Sequence, residues 1–160
     1  MNNKSLRRWF AGLAAISFLI AAPGGAAAAP KDGVVRVKSA YSLQETVRRL
    51  KKDIAAKGIT FFDEIDQSKL AARADIELQP SVLLVFGNPG LGSHFITADP
   101  EAGLDWPVRL LVSQDKNGTV WAAYTDFGYI AKRHGITNRK AEFAMAGKVI
   151  SSITSSIAAR

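Results

Sequence analysis

Two histidines, His94 and His134, and a set of aspartates at element junctions are the residues in this 160-residue chain whose types can move protons. Imidazole exists in both charge states near neutrality, so it serves as acid or base with little perturbation. A carboxylate within hydrogen-bond reach completes such a pair, which makes His134 with Asp66 or Asp105 the candidate catalytic set. The chain has no cysteine, and its histidines show no H-x-x-x-H or similar spacing, so no metal site is expected. No G-x-S-x-G elbow is present for a serine hydrolase, and no motif names a cofactor.

A second kind of chemistry is binding. The stretch Gly87-Asn88-Pro89-Gly90-Leu91-Gly92-Ser93 follows the apolar run Val82–Phe86. Glycines let backbone donors approach an anion, and an asparagine amide both donates and accepts. The stretch lacks the Gly-Lys-Ser/Thr ending of a nucleotide loop and the third glycine of a dinucleotide fingerprint. Asp66, Asn88, Gly92, Ser93 and Asp105 are therefore the candidate ligand-binding residues, with a small polar or cationic molecule as the expected ligand. Trp106, Trp121 and Tyr124 are the aromatics available to line a pocket or a core.

These residues must be positioned by the elements between them. Val35 and Val37 alternate with Arg36 and Lys38 as in a half-buried strand. Ser42-Leu43-Gln44-Glu45 is a capping box, and Leu43, Val47, Leu50 and Ile54 recur at helical spacing up to Gly58. Ile59–Asp66 reads as a second strand, and Ser68–Ala74 as a short helix. Five consecutive apolar residues, Val82–Phe86, predict a central strand covered on both faces. A capped turn over Thr97–Leu104 follows. Val108–Val112 and Thr119–Tyr124 form a hairpin across Asp115-Lys116-Asn117-Gly118. Phe127–His134 is a short helix closed by Gly135. From Thr137 or Asn138 a long terminal helix carries Phe143, Ala146, Ile150, Ile153 and Ile157 on one side. The class is α+β, a single domain whose antiparallel sheet has helices packed on one face.

The amino terminus reads differently. Lys4, Arg7 and Arg8 precede an apolar stretch from Trp9 to Ala22 and a small-residue site at Ala26–Ala28, the pattern of a cleaved export signal over residues 1–28. Arg7-Arg8-Trp9-Phe10 is a partial twin-arginine match, so the general and twin-arginine routes both stay open. The stretch is too short to span a bilayer, and no stable membrane insertion is expected after cleavage. The mature domain is then 29–160, with its core at about 34–157, in the periplasm or secreted. Without the three signal cations the net charge of +7 falls to a modest +4, a level that serves solubility and argues against nucleic acid as a partner.

At Ile65-Asp66, Phe86-Gly87-Asn88-Pro89, Gly92-Ser93, Asp105-Trp106-Pro107, Val120-Trp121, Tyr124 and Arg133-His134 the chain resembles the bacterial and archaeal domain of unknown function 302 family, in order along nearly all of the mature chain. The resemblance implies a TATA-binding-protein-like β-α-β4-α arrangement and a homodimer. Gln67 stands where the family pattern usually has a histidine, so no proton or metal role carries over to that position. A family whose activity is unestablished implies a fold and not a reaction. Two functions remain open: a binding or interaction module, which is preferred, and an enzyme using His134 with Asp66 or Asp105.

Overall fold

The computed structural model describes residues 32–159, so the export signal expected over residues 1–28 lies outside the described residues. The elements are β1 (Val34–Lys38), α1 (Leu43–Ala56), β2 (Thr60–Asp66), α2 (Gln67–Ala72), β3 (Ser81–Gly87), α3 (Pro89–Ala98), a 3-10 turn (Pro100–Leu104), β4 (Val108–Gln114), β5 (Val120–Thr125), α4 (Phe127–Arg133) and α5 (Lys140–Ser155). Setting the shorter insertions α2, α3, the 3-10 turn and α4 aside leaves β-α-β4-α. The sheet runs β1-β5-β4-β3-β2 with every neighbouring pair antiparallel.

Local chemistry explains most element ends. Ser42 accepts from the Glu45 amide and so starts α1. The Glu45 carboxylate does not close the box, because Arg48 and Arg49 hold it at 2.6 and 2.7 Å. Gly58 ends α1 at φ +64°, a left-handed conformation that any side chain would strain. Asp115 builds the hairpin turn by accepting from the Asn117 and Thr119 amides.

One sheet face carries the core. Leu84, Leu110, Val112 and Ala122 are fully buried there beneath Leu50 and Ile54 of α1 and Ile150, Ile153 and Ile157 of the carboxy-terminal segment. Phe95 of α3 stacks on Phe143 of α5 at 4.2 Å between centroids and lies 6.1 Å from Phe127 of α4. Ser151, Ser152 and Ser155 of α5 are exposed on its outer side, while Ser156, which caps the helix, is half-buried.

Two expectations change. Val82–Phe86 does not have both faces covered: Leu83 and Val85 point to the helix-free side and are only half-buried. The stretch after β3 is also no extended glycine loop. Asn88 caps α3 by accepting from the Leu91 amide at 3.0 Å, and Pro89 occupies its first turn. Proline lacks the N–H that a first turn leaves unused, so Pro89 begins a helix rather than a loop that presents backbone donors to an anion.

Candidate functional site

Three strands turn at the same end of the sheet. β3 ends at Gly87, β4 begins after the cis Trp106–Pro107 bond, and β5 ends at Thr125 before Asp126 caps α4. Between this end and the helices lies a cavity of about 240 Å³, lined by Phe86, Leu91, Phe95, Trp106, Val108 and Met145 among others. Its wall is set by glycines. A Cβ on Gly87 would stand 2.9 Å from the Trp106 indole nitrogen, and one on Gly92 would enter the Trp106 ring. The two glycines therefore seat a tryptophan, and no ligand is needed to explain them.

Beside the cavity sits a polar cluster. Asp105 is buried, and its Oδ2 lies 2.7 Å from Nε2 of an equally buried His134. An ionised carboxylate only accepts, so in that state the imidazole donates from Nε2. Arg109 and Arg133, both half-exposed, approach Asp105 at 3.5 and 3.4 Å, and Arg109 also donates to the Leu104 carbonyl. His134 arrives through the end of α4, whose closing Gly135 has φ +61°.

The sequence candidates thus divide. Asp105 and His134 come together. Asn88 lines the cavity at its rim but is exposed and engaged in capping, and Gly92 is closed by Trp106. Ser93 is exposed and donates to the Pro89 carbonyl at 2.7 Å. Asp66 does not join the others. It pairs with Val82 at the opposite end of β3, roughly 20 Å from Asn88 along the strand. There it caps α2: the Lys69 amide, then the Ser68 hydroxyl, lower its pKa from 3.8 to about 2. Gln67 accepts from the Ser81 hydroxyl at 2.8 Å and so ties α2 to β3. Of the three aromatics, Trp106 lines the cavity, Trp121 donates to Asp115, and Tyr124 is in the core.

Sequence reasoning missed Lys57, Leu91, Val108 and Met145 of the cavity wall. Only Met145 left a trace, as an apolar residue off the buried stripe of α5; it is 57% exposed. His94 is exposed and takes no part. No cluster of metal-ligating side chains is present among the described residues.

The family described as domain of unknown function DUF302 matches residues 35–158. A protein named fluoride-specific ion channel FluC 1 from Brucella suis is 34% identical over 105 residues, which is 66% of this chain and 41% of that one. One named FluC 2 from Brucella melitensis is 34% identical over the same length, 39% of its own chain. The chain thus spans about two-fifths of these curated relatives. The crystal structure of an uncharacterized conserved protein DUF302 from Bacillus stearothermophilus superposes with a TM-score of 0.70 at 18% identity, covering 77% of this chain and 96% of that one.

Proposed function

We propose, from the premise that this chain belongs to the family of the domain of unknown function DUF302, that it is an exported module which binds a small, largely apolar molecule at the end of its sheet. The observation that carries this reading is the cavity of about 240 Å³ walled by Phe86, Leu91, Phe95, Trp106 and Val108. Concave apolar sites at strand ends are where rigid scaffolds hold ligands. Each Å² of apolar ligand surface buried there contributes about 25 cal/mol. The ligand differs from the polar one the sequence suggested, because the Asn88 carbonyl and the Ser93 hydroxyl are engaged within α3. The recurrence of the matched stretch inside longer chains supports a module that also works attached to other polypeptides. Among the described residues no helix is long and apolar enough to cross a membrane.

Titration with N-phenyl-1-naphthylamine, a neutral apolar dye, tests the site. Saturable fluorescence is expected with the wild-type chain and its loss with Leu91→Trp, which plugs the mouth from a half-buried position. Equal binding by both would remove the cavity from consideration.

A second reading rests on Asp105 and His134, whose 2.7 Å contact has the geometry of an oriented acid/base pair. Conversion of a bound molecule by wild type but not by His134→Gln would favour it. Binding without conversion by either would leave the module reading.

A further inference from the structure

We infer that the cavity selects an amphipathic monocarboxylate, with the apolar body inside and the carboxylate at the rim beside Lys57. The inference rests on the binding reading above and names the class of ligand. Its basis is the polarity of the lining. Among the described residues Lys57, which closes α1, is the one charged residue lining the cavity. It makes no ion pair among the described residues, unlike Lys51 and Lys69, which hold Glu64 and Asp66. The other polar side chains of the lining are Asn88 and Trp106. The Asn88 Oδ1 is taken by the Leu91 amide, which leaves its –NH₂ to donate, and an indole nitrogen can only donate. The described lining therefore offers one cation and further donors, and it carries no carboxylate.

A ligand head that fits such a rim accepts hydrogen bonds and carries negative charge. A neutral hydroxyl uses less of it, and a cation meets Lys57 with no counter-charge. One ammonium matches one negative charge, which sets the monoanion. Charge-assisted hydrogen bonds are about twice as strong as neutral ones, and the rest of the described lining, apolar apart from Asn88 and Trp106, offers no second charge.

Isothermal titration of the full chain with octanoate, octanol and octyltrimethylammonium tests this, because the three share a tail and differ in the head. Octanoate is expected to bind about tenfold or more tighter than octanol, the ratio a single charge-assisted bond gives, and octyltrimethylammonium weakest. Lys57→Gln should bring octanoate near the octanol level while weakening octanol far less; Leu91→Trp should abolish all binding. Octanol equal to octanoate on wild type, or octanoate unaffected by Lys57→Gln, overturns the carboxylate assignment while the cavity stands. Failure of all three tails to bind, or binding unaltered by Leu91→Trp, overturns both.

Discussion

Asp105 concentrates the electrostatics of this molecule in one side chain. It is buried, its shortest contact is His134, and two half-exposed arginines stand further off. Removing the imidazole leaves a buried carboxylate served only by bonds of 3.4 to 3.5 Å. His134→Ala is expected to destabilise the domain by roughly 1 to 3 kcal/mol, the cost of a buried group losing its main partner. Urea unfolding measures it; an unchanged midpoint would show that the arginines and water suffice. Gly92 is the second residue with an outsized role. A methyl there enters the Trp106 ring, so Gly92→Ala should cost about 1 to 3 kcal/mol through overpacking and weaken dye binding by displacing the tryptophan wall. Retention of both stability and binding would mean that Trp106 is free to move aside.

Among the elements, α2 depends most on a single titrating group. Asp66 accepts from the Lys69 amide at 2.9 Å and from the Ser68 hydroxyl at 2.7 Å, and its pKa falls from 3.8 to about 2. A carboxyl depressed in the folded state contributes stability that is complete above its unfolded value and lost as pH falls through the folded one. The α2 cap should therefore hold at pH 5 and weaken between about pH 4 and 2, while α5, which lacks a side-chain cap at Arg139, is unaffected there. Amide exchange of Lys69 against pH reports this. Protection that declines already near pH 5, or an equal decline in α5, would point to global acid unfolding instead. Helix α5 is held by burial, with Ile150 and Ile153, and Ile157 just past its end, at 2% exposure or less against the sheet.

Over the whole molecule, the most telling asymmetry is between the two faces of the sheet. On the side away from the helices, Ile65, Leu83, Leu111 and Ala123 lie in register across β2, β3, β4 and β5. All four are half-buried, and among the described residues neither α1 nor α5 packs on this face. We propose that two copies meet through this face to form the homodimer expected from the family resemblance. Strands that are apolar on both faces normally have both covered. Sedimentation at micromolar concentration should give a species of two chains, and Leu83→Lys should give one chain with a little-changed urea midpoint. A wild-type chain that sediments alone would dispose of the proposal.

The sequence by itself determined the elements and their class. Alternation in Val34–Lys38, the serine cap at Ser42, the glycine at Gly58, the Asp-Lys-Asn-Gly turn and the apolar stripe of α5 act over a few residues, where backbone sterics and local hydrogen bonds decide the outcome. The α+β sheet with helices on one face followed from that order. Pro89 and Asn88 were just as local, yet their capping chemistry reads the same as loop chemistry until the helix behind them is seen. Only the tertiary structure decided which junction residues meet. Asp66 and Asp105 both follow isoleucine- or leucine-bearing segments and both precede a turn, but antiparallel pairing carries them to opposite ends of β3. His134 reaches Asp105 across 29 residues because β5 and α4 return the chain to that end. The cavity is likewise a property of packing. Lys57, Leu91, Trp106 and Met145 come from four separate segments, and no spacing along the chain encodes a volume that exists only between them.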